Sequence, residues 1–91
     1  MASILIQQSV KDYSEWKKVF DSLSSLRASK GALSDQVFQD ASDMNKVTVL
    51  VQYNSVESAK AWAESPELRA AQEKAGILGR PNVSILQEVG R

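Results

Sequence analysis

Ile4 and Ile6 share one side of "SILIQQ" (3–8), and this two-residue period predicts a short strand. After the polar turn "SVKD" the period lengthens to that of a helix. In "KDYSEWKKVFDSLSSLRASKG" (11–31), Tyr13, Trp16, Val19, Phe20, Leu23 and Leu26 fall on one face. Asp12 suits the N-cap, with Glu15 three residues on in a capping-box pattern, and Gly31 is a natural stop. One helix is therefore predicted over about 13–30. "ALSDQVFQD" (32–40) reads as a second strand, "ASDMN" (41–45) as a polar turn, and "KVTVLVQY" (46–53) as the strongest strand of all.

Asn54 or Ser55 can cap the next helix, "SVESAKAWAE", which turns Val56, Ala59 and Ala63 to one side. "SPEL" interrupts it: Ser65 can cap a second segment and Pro66 suits its first position. Leu68, Ala71 and Ala75 then point inward, and Gly76 ends the segment. "GILGRP" reads as a loop and "NVSILQEV" (82–89) as the last strand.

The order β-α-β-β-α-β is that of the ferredoxin-like α+β fold. Right-handed crossovers place the first and third strands at the centre of a four-stranded antiparallel sheet, with the helices on one face. The 91 residues suffice for a single domain, 1–91.

Alternation divides the sheet residues. Ile4, Ile6, Val47, Val49, Val51, Val83 and Ile85 form an apolar set that belongs under the helices. The opposite set is Leu5, Gln7, Thr48, Leu50, Gln52, Ser84, Leu86 and Glu88. Left to water, Leu5, Leu50 and Leu86 would form an exposed apolar strip of a kind monomers seldom keep. Burying these leucines at roughly 2 kcal/mol each predicts a homodimer joined sheet to sheet, with Gln7, Gln52 and Glu88 bonding across it.

Composition narrows the chemistry. Eleven basic residues balance eleven acidic ones, which argues against nucleic acid or membrane surfaces as partners. An RNA-binding sheet of this topology also needs aromatics on its central strands, and here only Tyr53 ends one. Cysteine and histidine are both absent, which removes thiolate and imidazole nucleophiles, bases and metal ligands, so no metal is expected. No apolar run could span a bilayer and no secretory leader is evident, so a cytoplasmic location is expected.

The chain resembles the dimeric α+β barrel superfamily, and within it the small antibiotic biosynthesis monooxygenase-like and cyclase-like proteins. The resemblance rests on "VKDYSEWKKVFDSL", on "VTVLVQYNSVESAKAWAESPELRAAQEKAGILGRP" and on the closing strand. It implies a sheet-to-sheet dimer and a ligand pocket between sheet and helices in each subunit. In its cofactor-free oxygenases an acidic phenolic substrate is deprotonated and the carbanion reacts with dioxygen, held by Asn, Trp and Tyr side chains. Tyr53, Asn54 and Trp62 lie close together in this sequence and are candidates for that role. The histidine-dependent mechanisms of other members have no counterpart. The resemblance thus implies a monooxygenase-like or cyclase-like protein for a small aromatic or polyketide-type ligand, without a cofactor; a non-catalytic small-molecule-binding homodimer is the alternative.

Arg27 is the most unusual candidate, because the helical wheel puts it inside the apolar arc, between Trp16 and Phe20. It can serve structure, packing its stem while its head reaches Asp35 or Asp40, or it can anchor an anionic ligand. Trp16 and Tyr13 share its face, as core residues or as a wall for an aromatic ligand. Trp62 lies roughly 90° from the Val56–Ala59–Ala63 stripe, which predicts a pocket rim or dimer contact. Asn54 can equally be a helix cap.

Overall fold

A computed structural model describes residues 1–89. In chain order the elements are β1 (Ala2–Val10), α1 (Tyr13–Ser22), α2 (Ser24–Ser29), β2 (Ala32–Asp40), β3 (Asp43–Tyr53), α3 (Val56–Ala63), α4 (Pro66–Lys74) and β4 (Ile77–Gln87). The strands form one antiparallel sheet in the order β2-β3-β1-β4, with the helices on one face, as in the ferredoxin-like α+β fold.

Caps set the helix starts. The Asp12 carboxylate accepts from the Ser14 N–H at 3.0 Å, Ser55 Oγ from the Ser58 N–H and Ser65 Oγ from the Leu68 N–H, each at 3.1 Å. Ser55, and not Asn54, therefore caps α3. Glu15 turns outward to Lys18 rather than back to the cap. Gly31 follows α2 with φ 104°, and a Cβ there would meet Asn54 Oδ1 at 2.9 Å, so only glycine fits both the backbone and the space.

The single helix expected over 13–30 is two. Ser22 Oγ donates to the Val19 carbonyl at 2.6 Å, occupying the acceptor that the Leu23 N–H would use, and that N–H turns to Phe20 instead. Leu23, at φ −101° and ψ 6°, is where the helix breaks. A run of serines at 22, 24 and 25 gives this segment little intrinsic reason to stay straight.

The third strand begins three residues earlier than its apolar pattern suggested, because Asp40 accepts from Ser42 N and Oγ and closes the hairpin in two residues. The expected loop "GILGRP" is instead the start of β4. Its register against β1 jumps from Leu78 opposite Ser9 to Asn82 opposite Gln7, so Gly79, Arg80 and Pro81 form a bulge. Pro81 is tolerated because β4 is an edge strand. The last strand also ends at Gln87, not Val89.

The core lies under the helices. Ile4, Ile6, Val47, Val49 and Val51 are buried there as alternation requires, together with Ala2, Val10 and Tyr53. Val83 departs from that set: it sits on the edge strand and is 38% exposed. On the open face Leu5 lies directly opposite Leu50, and Leu86 is diagonal to Leu5. Phe38 and Leu78, 49% and 48% exposed, extend the same apolar face.

Candidate functional site

Four side chains stack along the inner face of the first helical arm. Tyr13 lies 5.8 Å from Trp16 between ring centroids, Trp16 5.1 Å from Phe20, and the Arg27 guanidinium carbon 3.8 Å above the Phe20 ring. The spacing of 3, 4 and 7 residues is what brings them into one column, and the break at Leu23 tilts Arg27 back over Phe20. Asn45 Oδ1 on β3 accepts from the Tyr13 N–H at 3.1 Å and fixes the start of the column.

Arg27 is 4% exposed, the one buried charged residue among those described. Its Nη1 donates to the Phe20 carbonyl at 2.8 Å, an acceptor shared with the Leu23 N–H at the helix break. Nη2 stands 3.6 Å from the half-exposed Asp35 carboxylate on β2, beyond good hydrogen-bonding range. Nε is buried without a partner. Burial lowers the pKa of Arg27 and the nearby Asp35 charge opposes that fall. Asp35, not Asp40, is the carboxylate it meets.

A cleft opens between this column, the sheet and the second helical arm. Trp16, Phe20 and Arg27 form one wall, Val49 and Val51 the floor, and Trp62 with Leu68 and Gln72 the opposite wall. Its void is about 50 Å³, room for a few waters. A benzene-sized guest fills about 150 Å³, so a ring enters only as the helices yield. Arg27 is the single ionisable residue lining the cleft among those described; Gln8 and Gln72 supply amides.

Of the six ligand candidates named from sequence, the fold brings Trp16, Arg27 and Trp62 to this cleft. Tyr13 stands behind Trp16, Asn54 is exposed outside it, and Tyr53 is fully buried beyond its lining. Trp62 is not the rim residue that the wheel suggested; it is 3% exposed. Gln8 and Gln72 were missed. Their signals were present: Gln8 has the parity of Ile4 and Ile6, and Gln72 follows Leu68 by one helical turn. No cluster of three His, Cys, Asp or Glu side chains among the described residues could hold a metal, and no described helix is long and apolar enough to cross a membrane.

Tyr53 carries the other orphaned polar atom, a buried hydroxyl without a partner. Burial pushes its pKa well above the ordinary tyrosine range, and the Arg27 charge only partly offsets this. Tyr53→Phe removes an unsatisfied group and is expected to stabilise the chain by about 1 kcal/mol at neutral pH in urea unfolding. Above pH ~10 the unfolded chain sheds this proton while the folded chain keeps it, so stability falls by up to ~1.4 kcal/mol per pH unit. The phenylalanine variant lacks this contribution. An equal alkaline decline in both proteins would mean that the Tyr53 hydroxyl is solvated.

The family model described as antibiotic biosynthesis monooxygenase matches residues 10–74. No curated protein sequence matches the chain. Among solved structures, the chain is similar to a Nitrosomonas europaea protein provisionally named an antibiotic biosynthesis monooxygenase, with 15% identity, a TM-score of 0.77, and coverage of 99% of this chain and 100% of that one. It is similar to a Caulobacter crescentus protein of the same provisional name at 22% identity and TM-score 0.78, covering 98% and 90%. It is also similar to SnoaB, a cofactor-independent oxygenase from Streptomyces nogalater, at 10% identity and TM-score 0.80, covering 99% and 94%. At these identities the structural likeness establishes the fold.

Proposed function

This chain belongs to the antibiotic biosynthesis monooxygenase family, and from that premise we propose that it is a cofactor-independent oxygenase acting on a small aromatic ligand held in the sheet–helix cleft. The observation that carries the reading is the pairing of aromatic walls, Trp16, Phe20 and Trp62, with one buried cation, Arg27. Aromatic faces orient a flat ligand, and a guanidinium in a dry site stabilises an anionic oxygen on it. An electron-rich anion of this kind can itself reduce dioxygen, one oxygen atom entering the ligand and the other leaving as water. The protein's part is then orientation and charge stabilisation.

A second reading, a binding protein without turnover, is favoured by the small void of about 50 Å³. Oxygen uptake separates the two. With a panel of polyhydroxylated naphthalenes, the enzyme reading expects consumption above the buffer rate and an oxygenated product. Saturable binding with no uptake supports the second reading instead.

The open sheet face is part of the proposal. We take the working form to be a homodimer that joins Leu5, Leu50, Leu86 and their partners across two copies, with the amides of Gln7 and Gln52 and the Glu88 carboxylate at the seam. The exposed apolar side chains of that face, Phe38 and Leu78 included, support this. Sedimentation is expected to give a species of twice the 10.0 kDa chain mass, and Leu50→Glu to shift it to the single-chain mass. A wild-type protein that sediments as one chain at about 10 μM would rule the dimer out.

A further inference from the structure

The cleft offers a buried cation with spare hydrogen-bonding capacity and, among the described residues, no side chain in its lining that could accept a proton. We infer that it takes its ligand as an organic anion already ionised in water, a weak acid of the phenol, enol or carboxylic class, and that the chain itself removes no proton from it. The inference rests on the cleft being the ligand site, as proposed above.

The lining comprises apolar side chains, the indoles of Trp16 and Trp62, the amides of Gln8 and Gln72, and Arg27. Neither indole nor amide is a base at neutral pH. Arg27 stays protonated at any physiological pH even with its pKa lowered by burial. The other charged or titratable groups that act on it are Asp35 on β2, Tyr53 on β3 and Asp21 on α1. None of the three lines the cleft. Tyr53 is a neutral phenol whose proton is held more tightly than usual, so it cannot take another group's proton. Asp35 and Asp21 lie outside the wall, and their side chains are 43% and 59% exposed.

The guanidinium is meanwhile under-neutralised. Its one short bond goes to a neutral carbonyl, its carboxylate partner is 3.6 Å away, and Nε is buried with no acceptor. A buried cation in that condition gains most from an anionic oxygen brought to it. A neutral acid entering the same place would need a group to receive its proton. The anion needs none, because its proton has already gone to water.

The test uses 4-nitrophenol, whose ionisation occurs near neutral pH and shows as a visible colour change, and 4-nitroanisole, its methyl ether, which cannot ionise. Equilibrium dialysis with the full chain from about pH 5 to about pH 9 measures both affinities, and absorbance reports the state of the bound phenol. The expected result is phenolate absorption in the bound probe at every pH. Its affinity is level above the probe's own pKa and falls about tenfold per pH unit below it. The ether is expected to bind about tenfold more weakly or worse.

A bound probe that absorbs as the neutral phenol, or an ether that binds as well as the phenol, overturns the inference and leaves the cleft standing as the ligand site. Phenolate absorption with an affinity that stays level on both sides of the pKa also overturns it, since the protein must then be taking the proton. If neither probe is retained at about 1 mM, the cleft is not the site and the inference falls with it. Arg27→Gln, checked for folding by circular dichroism, is expected to erase the difference between phenol and ether; retention of the difference in a folded variant counts against the inference.

Discussion

Trp62→Ala is expected to lower the free energy of unfolding by about 3–5 kcal/mol, the usual cost of emptying a buried indole site. Small domains hold only about 5–15 kcal/mol in total, so this one substitution should bring the chain close to the edge of folding. Trp62 is 3% exposed and packs in the core cluster with Ala59 and the β3 valines. The reason it reaches so far in is the size of its neighbours. Val56, Ala59 and Ala63 are small, so α3 can sit close to the sheet, and a side chain on its flank is drawn under the helix. Urea unfolding followed by Trp16 fluorescence measures the loss, since Trp16 is the other of the chain's two tryptophans. A loss under about 1 kcal/mol would instead describe the pocket-rim or dimer-contact residue that the helical wheel suggests. Trp62→Phe retains part of the buried area and should fall between the two.

Arg27→Ala carries the second large effect, about 2–4 kcal/mol of destabilisation. Three contributions are lost together: the stem's packing, the stacking of the guanidinium on Phe20, and the bond from Nη1 to the Phe20 carbonyl. The last matters because that carbonyl sits at the helix break, where its remaining partner is the Leu23 N–H at 3.2 Å. Arg27→Met separates the parts. It keeps most of the apolar stem and removes the charge, so it should cost less than alanine, about 1–2 kcal/mol. Asp35 is half exposed and stays hydrated when its partner goes, so no buried carboxylate is stranded. Equal losses in the two variants would show that the charge and the carbonyl bond, absent from both, dominate and that the packing of the stem contributes little. Losses below about 1 kcal/mol in both would mean that Arg27 does not clamp the break at all.

Arg27 thus fills the structural role open to it from sequence, and the ligand role belongs to the proposed function. Its stem and one nitrogen hold α1 against α2, Nη2 stands 3.6 Å from the Asp35 carboxylate, and the residue lines the cleft. If the proposed ligand site holds, stability and ligand binding are linked at this residue. Substitutions there should be read with a folding measurement beside every binding measurement.

Much of the fold was legible along the chain because its determinants are short-range. Alternation in "SILIQQ" and "KVTVLVQY" separated the buried face from the open one, and the caps at Asp12, Ser55 and Ser65 follow from donors and acceptors within three residues of each other. The helix break was written only faintly. Ser22 reads as an ordinary exposed helical residue until its hydroxyl is found on the Val19 carbonyl. The opening of β4 was hidden by glycine and proline, which mark loops in most contexts and a bulge on an edge strand in this one.

The sequence by itself determined the order of elements, the two faces of the sheet, the absence of thiol and imidazole chemistry, and Arg27 as the charge out of place on an apolar helix face. Only the tertiary structure decided which carboxylate and which carbonyl Arg27 meets, that Trp62 is interior, and that Gln8 and Gln72 share a cleft while Tyr53 and Asn54 do not. The division has one physical cause. Periodicity and capping are set by neighbours a few residues apart, whereas the membership of a cleft depends on how closely separate elements approach, and that distance is fixed by the volumes of side chains packed between them.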